Sequence, residues 1–452
     1  MLPTDLIVDT CIIGGGAADA YAAHRLQQHN HTFAIIEPNS GLGGHTVTYR
    51  DPLSHNQPVD YGVTWLQDLP VVRDLFAHYQ VPLVAQKIDY RVEMFDFTPG
   101  RPIQPRSADD ATAALNRYRK LLAEYPYLGT GFEDLPDPVP DELVVPFKQY
   151  MDKHHLGGLL DVFSSWLTGL GEWPYYPTLY VMKYLGRDYL DGRTRVGWVR
   201  PASHDASELF RVMEKGLGSG VVLLNTRVVR VESRSWNAGR VVVDVATTAP
   251  RSTNTTRRRI QAKALLFTAP PLPSNLAVLG LDAHEHSLFR QFADPWFYTA
   301  LIRVQGLPAD AFLENHDPDH PFHRPRLPAV LAFRPTDIAN IARVTVASTT
   351  RGLTDDEVRD CIRAGVDAVR RRLGGNVSDP KILAVRDHSP YTLTVSGEAV
   401  AKGFYRQLTA LQGHRRTYYA GATWDTHHAP QVWMLTDQVL QRHVLPVLEG
   451  RR

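Results

Sequence analysis

Gly14-Gly15-Gly16 follows directly on the apolar run 6–13 and opens a segment rich in alanine. A glycine turn at such a junction lets the chain reverse tightly, and it lets backbone N–H groups at a helix start approach a pyrophosphate. Gly14 suits the turn and Gly16 the close approach, while Ala17 and Ala18 keep the entry open. Glu37 closes a second apolar run 23 residues after Gly14, where a carboxylate accepts hydrogen bonds from an adenosine ribose. Asp19 dissents, because it stands where a third glycine or alanine would permit close helix–strand packing. We expect its side chain to turn outward on the first helical turn, where the dipole favours an acid. The competing reading is that it adds negative charge beside the phosphates and weakens or reorients the dinucleotide.

The elements that must position these groups are legible in part. Residues 6–13 read as a buried parallel strand, 17–28 as a helix and 33–36 as a second strand, together a βαβ unit. The stretch 98–145 is punctuated by prolines and predicts one helix, capped by Ser107 and Asp110. A helix is expected over Ser207–Gly216, then strands over 221–234 and 241–245 joined through Asn237-Ala238-Gly239. Arg257-Arg258-Arg259 reads as a hairpin tip facing water, and 265–269 as a buried strand stopped by Pro270. Thr354 and Glu357 cap a helix that runs to Leu373 and ends at Gly374. The last strand is expected at 417–421 and the last helix at 431–444, because Pro446 disfavours helical geometry at Leu445.

The chain has 452 residues, 43% hydrophobic and 21% charged, enough for two domains with real cores. Forty-nine basic and 48 acidic residues give a net charge of +1, which leaves no broad field for nucleic acid or an anionic membrane. Two cysteines, Cys11 and Cys361, cannot make a disulfide framework and fit a reducing compartment. No apolar run reaches the roughly 18 residues of a membrane span. A strand that begins near Ile7 leaves no room for a signal sequence, so a cytoplasmic soluble protein is the default expectation.

Further motifs resemble the FAD-dependent amine oxidase superfamily. Gly43-Gly44-His45-Thr46, after Glu37-Pro38, is similar to the glycine pair that lets the chain pass along the flavin's ribityl–pyrophosphate stem. Asp60-Tyr61-Gly62-Val63-Thr64-Trp65 resembles the stretch bordering the flavin ring. Tyr419-Ala420-Gly421-Ala422-Thr423-Trp424, before a helix bearing Gln431 and Val432, resembles the last cofactor segment. The closest resemblance is to the β-cyclopiazonate-dehydrogenase-like flavoproteins, through Leu42-Gly-Gly-His-Thr46, Pro58-Val-Asp-Tyr-Gly-Val63 and Tyr418-Tyr-Ala-Gly-Ala422 among others, from residue 8 to about 440. It implies an α/β fold: a Rossmann-like FAD-binding domain with an inserted α+β substrate domain. The implied division is 1–62, 204–276 and 400–452 for FAD, and 63–203 with 277–399 for substrate. The cofactor residues implied are Gly14, Gly16, Ala17, Ala18, Glu37, Pro38, Gly43, Gly44, His45, Thr46, Gly62, Val63, Thr64, Gly421, Ala422, Gln431 and Val432, with Val229 against the adenine.

The activity implied is that of an FAD oxidoreductase acting at a C–N or C–C bond of a hydrophobic small molecule, by dehydrogenation or oxidative cyclisation in natural-product metabolism. Oxygen or another acceptor would take the electrons. The alternative is a flavin-dependent isomerase or cyclase without net redox change, and the lesser one a degenerate, non-catalytic flavoprotein, which Asp19 alone favours. His427 and His428, between the last strand and last helix, are the acid–base candidates, with Tyr391 beside them and Asp425 as a residue to orient a histidine. Trp65, Tyr176, Tyr298 and Trp424 are expected in the substrate pocket. FAD is expected to be non-covalent, with His45 the first candidate were it attached. The lysine that many amine oxidases place near the flavin is not identifiable among nine lysines. No metal site is expected: His316-Asp317-Pro-Asp319-His320-Pro-Phe-His323 reads as a solvated loop.

Overall fold

The computed structural model describes residues 6–451 except 88, 89, 99, 219, 220, 233, 235–238, 251–253, 294, 321 and 350. Strand Leu6–Ile13 runs parallel to both Phe33–Ile36 and the 13-residue strand Thr255–Phe267, and its inner half is buried. The long strand does two jobs. Its first half pairs antiparallel with Val241–Thr248, and its last three residues pair parallel with Thr417–Tyr419. Glycine turn, helix Ala17–Gln28 and strand Phe33–Ile36 stand where the periodicity places them.

A second, six-stranded sheet has the order Lys381–Asp387, Trp296–Arg303, Ile341–Ser348, Ala329–Pro335, Ala311–Asn315, Arg91–Phe95. Helix Asp355–Leu373 covers one face, its Val358, Ile362, Val366 and Val369 buried in one cluster with Tyr298, Ala300, Ile302, Val330, Val344 and Val346. The opposite face carries Phe297, Thr299, Leu301, Arg343, Thr345 and Arg334, because register partners point the same way. A helical block, including Ala108–Ala123, Phe147–Lys153, Leu160–Trp166 and Thr178–Tyr184, packs around Tyr118, Phe147, Phe163 and Trp173.

Several boundaries differ from the sequence expectation. The strand begins at Thr255, so Arg257, Arg258 and Arg259 lie on it opposite Ala246, Val245 and Asp244 rather than at a tip, and Asp244 pairs with Arg259. The run 221–234 splits into Val222–Leu223 and Thr226–Glu232, because Asn225 turns through φ 51°. Of the connection 237–239, Asn237 and Ala238 lie outside the described residues. A second short helix, Asp141–Val144, joins Ala108–Ala123 within 98–145. At that helix start Ser107 Oγ accepts from Asp110 N–H at 3.5 Å, half of a capping box. The final helix Ala429–Val439 is not stopped by Pro446: a wide π-type turn, Leu440–Val444, relaxes the ladder, and Pro446 falls in the first turn of Leu445–Leu448, where its missing N–H costs nothing.

The strand Thr417–Tyr419 is fastened by a buried ion pair. Arg234 donates to both oxygens of Glu285 at 2.8 and 2.7 Å and to Thr417 Oγ1 at 3.0 Å, and Tyr419 Oη donates to Glu285 at 3.1 Å. Truncating one partner leaves a charge stranded in the core. Glu285→Ala is therefore expected to cost about 3–5 kcal/mol, whereas Asp360→Ala in the exposed Arg363 pair costs about 0–1 kcal/mol. Thermal unfolding of the two variants side by side checks this, and equal losses would refute it.

Candidate active site

Gly14, Glu37, Thr268 and Gly421 each follow closely on the C-terminal end of a parallel strand, and they meet at one edge of the sheet. Gly14 has φ 134°, and a Cβ there would come within 2.6 Å of Thr268 Oγ1 and 2.7 Å of Asp19, so only glycine makes this crossing. Gly43 N–H donates to Gly15 O at 2.8 Å, which sets the two glycine turns against one another. From there a continuous wall runs Glu37, Gly15, Gly16, Gly44, His45, and on to His427 and Tyr391. It bounds a cavity of about 440 Å³, the size of a small-molecule site.

The structure brings together in this cavity Gly14, Gly16, Ala17, Ala18, Glu37, Pro38, Gly43, Gly44, His45, Thr46, Val63, Tyr391, Gly421, Ala422, His427 and Val432. Gly62 and Thr64 stand behind its wall: Gly62 is pressed against the His45 carbonyl, leaving no room for a Cβ, and Thr64 Oγ1 binds Gly62 O and Arg343. Val229 is corrected. A bulge between Val228 and Arg230 turns it to solvent at 44% exposure, and Val228 lines the cavity instead. Tyr298 is corrected in the same way: it points to the helix side of its sheet, its Oη accepting from Leu353 N–H at 2.7 Å, while its neighbour Phe297 stacks on Tyr391 at 4.3 Å. Trp424 lies behind the last strand, stacked on Tyr419 at 5.6 Å. Tyr176 sits beside Gly171, and Trp65 lies under the Arg343 guanidinium at 5.7 Å.

Asp19 turns inward, against the expectation. It is 3% exposed, accepts Gly16 N–H at 2.7 Å and is also bound by Thr268 Oγ1. Two good donors in the crossing hold the carboxyl there, and burial pushes its pKa up to about 7 despite them. Besides Asp19, the charged side chains lining the cavity are Glu37 and Arg227. Glu37 Oε1 accepts from Asn39 N–H at 2.7 Å.

At the other end the groups are uncharged. Tyr391 and His427 stack at 4.1 Å and 7°, with His45 at 5.7 Å from His427 and at 4.9 Å from His388. Burial lowers His45 to about 4, with Arg386 adding to the effect, and holds His427 and His388 well below the ordinary imidazole value. His388 Nε2 pairs with Thr299 Oγ1 at 2.8 Å. Sequence reasoning missed His388 and Thr268; Thr268 was signalled by the strand stop at Pro270, whereas nothing in the spacing pointed to His388.

His428 and Gln431 face a second cavity of about 180 Å³, with Lys183, Tyr184, Asp188 and Tyr189. There His428 packs 4.5 Å from Tyr184 and 4.9 Å from Tyr189. Asp425 orients no histidine: it holds the buried Lys183 at 3.0 Å and accepts Gly131 N–H at 2.9 Å. The histidine-rich loop is solvated only in part: Asp319 is exposed, whereas His316 is 3% exposed and 3.5 Å from Glu314. Among the described residues Asp282, Glu285 and His414 bring ligand-type atoms together, but Arg234 and Arg415 already neutralise Glu285. No helix of the described residues is long and apolar enough to cross a membrane.

Residues 12–79 match the family model of an NAD(P)-binding Rossmann-like domain. Over nearly the whole chain the sequence is similar to FAD-dependent oxidoreductases of Cochliobolus heterostrophus (30% identical, covering 96% of this chain and 90% of that protein) and Monascus ruber (32%, covering 96% and 90%). It is 29% identical to the β-cyclopiazonate dehydrogenase of Aspergillus oryzae, covering 96% and 92%. Among solved structures the fold is similar to a CLA-producing fatty acid isomerase from P. acnes (TM-score 0.78, 20% identity, covering 96% and 98%). Cyclohexylamine oxidase from Brevibacterium oxydans shares it too (TM-score 0.66, 15% identity, covering 98% and 99%).

The lining fits FAD: a glycine crossing at a helix start for the pyrophosphate, Glu37 for a ribose, and an uncharged aromatic end for a flat ring. An ionised Asp19 would repel the pyrophosphate, so binding favours the protonated acid. Because the neutral form is lost as pH rises through about 7, FAD affinity is expected to fall between about pH 6 and about pH 8, by roughly tenfold. Asp19→Asn, which keeps the acceptor but not the charge, should flatten that profile. Titration of flavin fluorescence against protein measures both; parallel profiles would refute the role of Asp19.

Proposed function

Since this chain belongs to the family of FAD-dependent oxidoreductases that includes the fungal enzymes above and β-cyclopiazonate dehydrogenase, we propose that it removes two electrons from a C–N or C–C bond of a hydrophobic small molecule held against the Tyr391–His427 wall. Such a reaction is dehydrogenation or oxidative cyclisation, and the similarity to β-cyclopiazonate dehydrogenase supports a place in natural-product metabolism. FAD, when bound, supplies the two-electron acceptor.

The observation that carries the reading is the uncharged aromatic end of the cavity. Tyr391, backed by Phe297, and His427 form a flat, dry surface against which an apolar substrate excludes water. His427 lines the cavity and is neutral, so its free ring nitrogen accepts a proton from the substrate carbon or nitrogen undergoing oxidation. Tyr391 positions the ring of His427 through their stack. His45 is packed among His388, His427 and Tyr391, which supports a wall role and non-covalent FAD. We assign 1–62, 204–276 and 400–452 to the FAD domain and the two intervening segments to the substrate domain; every strand of the first sheet falls in the former and every strand of the second in the latter.

Among the described residues no lysine lines the cavity, which weighs against simple amine oxidation of the kind in which a lysine stands near the flavin; the alternative to the oxidoreductase reading is a flavin-dependent isomerase or cyclase. Oxygen uptake with peroxide formation on substrate turnover is the expected result; a product of unchanged mass with no acceptor consumed would replace the oxidoreductase reading with the isomerase one. His427→Phe, which keeps the stack and removes the base, is expected to lower kcat by roughly 10²–10⁴-fold with FAD content unchanged. His428→Phe, in the other cavity, should leave most of the rate.

A further inference from the structure

Arg334 and Arg343 stand directly opposite one another on paired strands, on the sheet face turned away from helix Asp355–Leu373. Like charges in that relation repel, and such pairs persist where something of opposite sign sits between them. Arg343 is 9% exposed, and among the described residues no carboxylate lies within 4.0 Å of it; it donates to Thr64 Oγ1. The nearest carboxylate oxygen to Arg334 is Glu314 Oε1 at 3.9 Å, and that oxygen already accepts from Ser165 at 2.7 Å, while the Arg334 Nε–H is buried without a partner. A third guanidinium, Arg193, lies 4.9 Å over Trp166 and donates to Tyr189 Oη at 3.0 Å.

The other acids in the field of Arg343 are committed elsewhere. Asp60 accepts Ala206 N–H at 3.1 and 3.0 Å, and burial raises its pKa to about 7. Asp337 pairs with Arg200 at 2.6 Å and His204 at 3.1 Å. Among the described residues, Glu314 is thus the one carboxylate within 4.0 Å of any of the three guanidiniums, at 3.9 Å from Arg334. A buried charge is costly unless paired, and here the chain does not supply the pair.

The cluster lies behind the cavity wall, toward its Tyr391 end. Thr64, bound by Arg343, follows Val63 in the cavity wall. Tyr184 lies in the field of Arg334 and beside Tyr391.

We propose that Arg334 and Arg343 are the docking site for a carboxylate of the substrate, which makes that substrate a hydrophobic organic acid. Its anion sits between the two guanidiniums and its oxidised bond lies toward Tyr391 and His427. The inference rests on the oxidoreductase reading and narrows its substrate class. Arg193 adds to the field without touching the anion, and the indole of Trp65 packs along the apolar part.

Calorimetry on the FAD-loaded protein with phenylbutanoate and its primary amide tests this. The two differ in charge and not in shape. The acid is expected to bind about tenfold more tightly than the amide. Arg343→Gln and Arg334→Gln should each remove that preference while leaving the amide's affinity unchanged. Equal binding of acid and amide to the wild-type protein overturns the proposal, as does a preference that survives both variants. If a glutamine variant fails to fold, Arg343→Lys serves in its place, keeping the cation and part of the preference. A protein that takes up no FAD overturns the cofactor reading instead, and the acid–amide comparison on that sample still decides the arginine site.

Discussion

Four strands that run parallel end at one edge, and the rest of the site depends on that. Leu6–Ile13 pairs with Phe33–Ile36 on one side and with Thr255–Phe267 on the other, and Thr417–Tyr419 joins the far side of the long strand. Parallel pairing sends every C-terminal turn to the same edge, so Gly14 and Glu37 converge with Thr268 and Gly421, although hundreds of residues lie between the first two and the last two. The crowding has a consequence. A Cβ on Gly421 would come within 2.9 Å of Thr268 O, and one on Gly14 within 2.6 Å of Thr268 Oγ1. Asp19 is drawn into the same crossing because two donors, Gly16 N–H and Thr268 Oγ1–H, point at one spot.

Burial then acts in two opposite ways along one cavity and its surroundings. Around Tyr391 it strips the histidines of their protons, giving a neutral wall. On the neighbouring sheet face it cannot do the same to Arg334 and Arg343, because guanidinium stays charged even where burial lowers Arg343 to about 10. The result is an apolar surface beside a cationic one. Such a division suits a molecule with an apolar reacting part and an anionic end.

Local signals were the legible ones. The glycine turn, Glu37 and helix Ala17–Gln28 sit within one βαβ unit, where spacing and geometry are nearly the same thing. Helix Asp355–Leu373 carries its own boundaries, a reciprocal box of Thr354 with Glu357 and a glycine end. The resemblance of Gly43-Gly44 and Gly421 to flavoprotein segments named residues that the fold gathers around the same cavity.

What the sequence could not decide was parity and partnership. Val229 and Tyr298 were each misplaced by one residue, since a strand alternates faces and a bulge or a sheet partner sets which face is which. Asp425 reads as a neighbour of His427 along the chain, yet its counter-ion is Lys183, some 240 positions away. Arg257–Arg259 resemble a solvated tip until Val241–Thr248 pairs with them. The sequence by itself determined a dinucleotide-binding βαβ unit, its glycines and acid, and the helices that carry their own caps, because those interactions close within a few residues. Tertiary structure alone decided that Asp19 faces inward, that His388 joins His45 and His427, and that two arginines oppose one another with Glu314 the one carboxylate within 4.0 Å among the described residues. Each of these depends on strand register and on burial, quantities that exist only once distant segments have packed.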